Sequence, residues 1–142
     1  MKAAACTIGM FIALCRPEGS IAAGESYKPT GSISSLPATP VVLAKAKEWF
    51  YRFQNANIDR SQLNALTNAE LTTDVVLREA ARLKRLGAPT SFKFQRSYTF
   101  RSALAYDFLL QFPSSRVIEM IAFDSSGKIA GFDFATFVEG DR

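Results

Sequence analysis

The sequence predicts an α+β fold: two main N-terminal helices packed on a curved, four-stranded antiparallel sheet, together cone-like. Three observations carry that prediction. Apolar residues recur at helical spacing in two segments, 41–54 and 73–86. Apolar and polar residues then alternate from Ser91 to Phe112. Two further β segments, 116–123 and 128–137, flank the turn-forming run Asp124-Ser125-Ser126-Gly127.

In the first helix, Leu43, Ala46, Phe50 and Phe53 form the apolar stripe, with Trp49 beside them, and Tyr51 falls at the rim. Thr39 followed by Pro40 is an N-cap and a first-turn proline. Asn55-Ala56-Asn57 breaks the helix. Residues 59–71 read as a connector with short helical turns, in which Thr67 and Glu70 have capping-box spacing. The second main helix carries Val76, Ala80, Leu83 and Leu86, and ends at Gly87 ahead of Pro89. Arg82, Lys84 and Arg85 cluster at its C-terminal end, where cations suit the helix dipole.

In the β region, simple alternation places Phe92, Phe94, Tyr98 and Phe100 on one face. A turn at Arg101-Ser102-Ala103 sets Phe100 opposite Leu104, and Tyr98 opposite Tyr106. Counting back from the last hairpin sets Glu119 opposite Phe132, on the face shared by Val117, Ile121, Phe132 and Phe134. The other face carries Leu109, Ile118, Met120, Ile129 and Phe137, mixed with Asp107 and Asp133.

The 142 residues divide into a leader at 1–24, a Ser/Pro/Gly/Thr-rich tether at 25–40 and a domain at 41–140. Lys2, the apolar run Ala3 to Cys15, and the small residues around Ala22-Ala23-Gly24 have the form of an export signal. The run is too short to span a bilayer comfortably. A buried N-terminal helix is the alternative, but the run has no polar face. Export to the periplasm or outside the cell follows. Both cysteines, Cys6 and Cys15, fall in the leader, which suits an oxidising compartment. Bulky Leu14 before Cys15 fits a lipid anchor poorly, so membrane attachment rests on an uncleaved leader or that unfavoured anchor.

Net charge is +4, and the leader removes one positive charge net, leaving +3. The charges are interspersed and the aromatic residues lie in alternating strands, a pattern that argues against nucleic-acid binding. With no histidine and no cysteine after the leader, thiolate catalysis and ordinary zinc sites are excluded, and no cofactor is implied.

Four segments resemble the nuclear transport factor 2-like (cystatin-like) superfamily, and within it small exported domains found alone or fused to penicillin-binding and β-lactamase-type serine hydrolases. They are Ala46-Lys47-Glu48-Trp49, the run from Asn57 to Leu63, the run from Leu86 to Phe92, and the run from Ala122 to Gly131. The resemblance implies a bent sheet wrapped round helices with a pocket at the open end. It carries over no catalytic residue.

Two functional classes follow. The first is a non-catalytic binding or interaction domain, with a homodimer through the outer sheet face as one partner. Its alternative is that the outer apolar residues are isolated and ordinary. The second is a small isomerase- or dehydratase-like enzyme. There Glu119, with Tyr98 and Tyr106, lines a pocket for a small apolar ligand, the carboxyl acting as acid or base and the hydroxyls binding a developing oxyanion. Two structural alternatives stand beside it: an Arg96–Glu119 ion pair that pins the sheet, or a solvated Glu119 near an open edge.

Overall fold

The computed structural model describes residues 38–137. The leader, most of the tether and the last residues of the predicted domain, 138–140, lie outside the described residues. The elements run α1 (Pro40–Gln54), a 3₁₀ turn (Arg60–Gln62), α2 (Ala65–Glu70), α3 (Thr73–Leu86), β1 (Ser91–Phe100), β2 (Ala103–Gln111), β3 (Arg116–Phe123) and β4 (Ile129–Phe137). The sheet is an antiparallel meander in the order β1-β2-β3-β4, open rather than closed into a barrel.

The helix ends follow local chemistry. Thr39 Oγ1 accepts from the Val42 amide, and Pro40 occupies the first turn, as predicted. Gly87 closes α3 with φ of 77°, which only glycine adopts freely. The expected capping box is not formed as read. Asn64 caps α2 by accepting from the Thr67 amide, and Thr67 itself is buried inside the helix. Asn64 is the better cap because its amide oxygen reaches the third amide ahead, one turn earlier than the predicted start.

Trp49, Phe50 and Phe53 of α1 are fully buried against the sheet. Phe53 lies 4.9 Å from Phe132 and 5.3 Å from Phe134, and Phe50 is 6.1 Å from Phe134. These are tilted and edge-on packings that suit ring quadrupoles. Burying each such ring contributes roughly 2–3 kcal/mol. Helix α3 adds Val76, Ala80 and Leu83 beside α1. Arg82, ion-paired with Glu79, donates to the Phe134 carbonyl and the Thr136 hydroxyl, and so covers part of the β4 edge.

The β1–β2 pairing differs from simple alternation. Arg101 and Ser102 both have positive φ, 48° and 64°, and make a two-residue turn. This primed geometry matches the right-handed strand twist and needs one residue fewer than the predicted loop. Phe100 therefore pairs with Ala103, and Tyr98 with Ala105, not Tyr106. A register shift between Phe94 and Arg96 then leaves Gln95 extra, and Phe94 pairs with Phe108. Phe92 and Phe94 face the helices, while Tyr98 and Phe100 face the other way. In the last hairpin Phe123 pairs with Ile129 rather than the predicted Lys128, and a further one-residue shift between Ala122 and Phe123 sets Glu119 opposite Phe134 rather than Phe132. Glu119 keeps its predicted face because the displacement is two residues. Ile129, expected outside, is buried in the main core.

Candidate functional site

The residues singled out in the sequence divide between the two faces of the sheet. Glu119 lies on the inner face, between Phe108 of β2 and Phe134 of β4. Its side chain is fully buried, and neither carboxylate oxygen has a hydrogen-bond partner among the described residues. Burial in this apolar setting pushes its pKa well above the ordinary carboxylate value. Tyr106 shares the face, opposite Ile121, and packs against Phe94 and Phe123. It is diagonal to Glu119 across the β2–β3 pair.

Tyr98 and Arg96 are on the outer face, so the constellation of Glu119 with both tyrosines is not assembled. Nor does an Arg96–Glu119 pair form. Arg96 Nε instead donates to Asp107 Oδ2 at 2.7 Å, and the Tyr98 hydroxyl donates to Asp107 Oδ1 at 3.1 Å. The Arg96 guanidinium lies over the Tyr98 ring, 5.1 Å from its centroid. Asp107 is buried, whereas the Arg96 side chain is 54% exposed. Burial first, and the Asp107 carboxylate second, raise the Tyr98 pKa and keep its hydroxyl a donor. The result is an exposed cation fixed in place by a buried carboxylate and an aromatic ring.

Asp107 pairs across the sheet with Met120, and Met120 with Asp133. Asp133 is buried, its Oδ1 has no partner among the described residues, and burial raises its pKa to about 6. Ala103, Ala105, Ala122 and Met120 form a small second apolar cluster on this face, covered by Tyr98 and Phe100. Asp107 and Asp133 were legible in the sequence only as outer-face acids. Tyr98 bonds Asp107, and Tyr98 and Phe100 pack on the alanine cluster of the same face, an arrangement that alternation does not encode.

A third locality escaped the sequence reading altogether. Lys45, Ser61, Gln62, Phe123, Lys128 and Ile129 line a cleft of about 230 Å³ where α1, the connector and the β3–β4 hairpin meet. The segments Asn57–Leu63 and Ala122–Gly131 were each conspicuous in the sequence, but nothing local signals that they touch. Among the described residues there is no group of three or more metal-ligating side chains and no helix long and apolar enough to cross a membrane. Comparison of the chain with protein-family models, curated proteins and solved structures finds no match.

Proposed function

We propose that the chain is an exported, non-catalytic binding domain of nuclear transport factor 2-like type whose recognition surface is the outer face of the sheet. The occupant of that face is a second copy. The observation that carries the reading is the Arg96–Asp107–Tyr98 cluster, an exposed cation held rigid on an open sheet face. Interface hot spots are enriched in arginine and tyrosine, and a preorganised side chain loses little entropy on contact. The face also carries unlike groups at its two edges, the exposed Arg96 and the buried Asp133, whose Oδ1 has no partner among the described residues. Arg96 sits on β1 and Asp133 on β4, at opposite ends of one cross-strand row. A two-fold axis along the strands sets β1 of one copy over β4 of the other, cation toward carboxyl.

The test is molar mass by light scattering at high micromolar concentration. The parent protein is expected to be a dimer, and Ile118→Lys, at a half-buried outer-face position beside Leu109, is expected to be a monomer with unchanged circular dichroism. A monomeric parent protein sinks the reading. Export rests on residues 2–24, and the intact mass of the mature protein tests it. Acid–base chemistry of isomerase or dehydratase type is a second reading. In its favour is Glu119, a fully buried carboxyl whose neutral form burial favours, with Tyr106 as the remaining tyrosine on its face.

A further inference from the structure

The cleft between α1, the connector and the β3–β4 hairpin is built by long-range pairing. Leu63 bridges Ile129 in parallel register, and the Asn64 amide donates to the Ile129 carbonyl at 2.9 Å. This brings Ser61 and Gln62 beside the hairpin that carries Lys128. Gln62 is a fixed wall. Its Oε1 accepts from Lys45 at 2.9 Å and from the Trp49 indole at 3.3 Å. Its amide nitrogen donates to Asp59 at 2.8 Å and to Glu48 at 3.4 Å. All four hydrogen-bonding capacities of the amide are thus in use.

The nearby acids are likewise committed. Asp124 Oδ1 accepts from the Ser126 amide, the Ser126 hydroxyl and the Lys128 amide at 2.6–3.0 Å. Asp59 Oδ1 accepts from the Ser61 amide and hydroxyl at 3.1 and 2.6 Å. Glu48 holds Lys45 at 2.9 Å and Arg52 at 2.7 Å. The Lys128 ammonium bonds only the Ser61 carbonyl among the described residues and has no carboxylate partner there. It keeps two N–H donors free. Half-buried Phe123 supplies apolar wall beside it.

We propose that this cleft binds a small organic carboxylate, its head group paired with Lys128 and its apolar body laid against Phe123. The volume lies below the ~300–1,000 Å³ of drug-sized sites, so the ligand is fragment-sized. The same head group is presented by a free acid and by the C-terminus of a peptide ending in an apolar residue. The proposal does not depend on the outer-face dimer.

The experiment is an amide-resonance titration of the full chain with four probes. These are phenylacetate, phenylethylamine, and N-acetyl-alanyl-phenylalanine as its free acid and as its amide. Phenylacetate is expected to shift resonances of Ser61, Gln62 and the 123–129 hairpin, and phenylethylamine to leave them in place. If the peptide acid binds and phenylacetate does not, the source is a chain terminus and the site stands. Lys128→Gln is expected to weaken binding about fivefold, the upper range for an exposed ion pair. Lys128→Arg is expected to keep it, which separates loss of charge from loss of fold. Neither carboxylate shifting these resonances at tens of millimolar overturns the proposal, as does equal binding of the amine or of the peptide amide. Unchanged affinity in Lys128→Gln overturns it too.

Discussion

At the scale of single residues, the outlier is Glu119. A carboxyl without a polar partner among the described residues, set between Phe108 and Phe134, is a cost the fold carries. Its raised pKa means the folded chain binds a proton there more tightly than the unfolded chain does. Stability is therefore greatest below the ordinary value of 4.5 and falls as pH rises toward the folded value, by up to about 1.4 kcal/mol per pH unit. Asp133 acts in the same direction, but only between its ordinary 3.8 and about 6. Above about pH 6 Asp133 adds no further slope. Glu119→Met, similar in length and without polar atoms, is expected to lose the fall in stability that the parent shows as pH rises above 4.5, and to be more stable than the parent at neutral pH. Urea denaturation at several pH values measures this, and equal slopes for the two proteins contradict it. A stabilising substitution at an interior acid is also what a residue retained for function predicts.

At the scale of elements, the β1–β2 hairpin decides which residues can meet. Arg101 and Ser102 sit in left-handed conformations without being glycine. That costs about 1–2 kcal/mol at each position, partly returned when glycine's larger unfolded entropy is counted. Ser102→Gly is therefore expected to stabilise the chain by ~0.5–1 kcal/mol, seen as a higher urea midpoint with the m-value unchanged. The hairpin also explains what was legible in the sequence. The helices were readable from Trp49, Phe50, Phe53, Val76, Ala80 and Leu83, because their spacing and burial share one period. The strands were readable for the same reason. Facing was not, because a two-residue turn and an extra Gln95 each move the period-2 pattern by one, and the effects cancel only at Phe92 and Phe94. Tyr98 and Arg96 fall between the two shifts and so land opposite their predicted face. Glu119 lies beyond both, and its neighbours Val117 and Ile121 were placed correctly beside it. The cleft at Lys128 was illegible for a different reason. Its walls are far apart in sequence, and the bridge from Leu63 to Ile129 leaves no local pattern.

At the scale of the whole molecule, the sheet has two unlike faces. The inner one is layered with aromatic rings against α1 and α3. The outer one is floored with small residues, Ala103, Ala105, Ala122 and Gly131, over which rings from β1 can lie flat. Phe100 crosses from one edge strand nearly to the other. A Cβ placed on Gly131 of β4 meets Phe100 Cε1 at 3.4 Å, and Ala122 Cβ and the Met120 methyl at 3.7 Å each. Gly131 is thus the landing site for a ring anchored three strands away. Its need for glycine is one of space, since it is not among the glycines with positive φ. Gly131→Ala is expected to be near neutral, because ordinary contact distances absorb one methyl. Gly131→Val adds branches that Phe100 must vacate, and is expected to cost about 1–3 kcal/mol. If the cost arises from that ring, it shrinks in a Phe100→Ala background, where the space is already open. The double-mutant cycle by urea denaturation is expected to give a coupling of ~1 kcal/mol or more. Additive effects would mean that Phe100 does not lie over β4, and that the outer face is held by strand pairing alone.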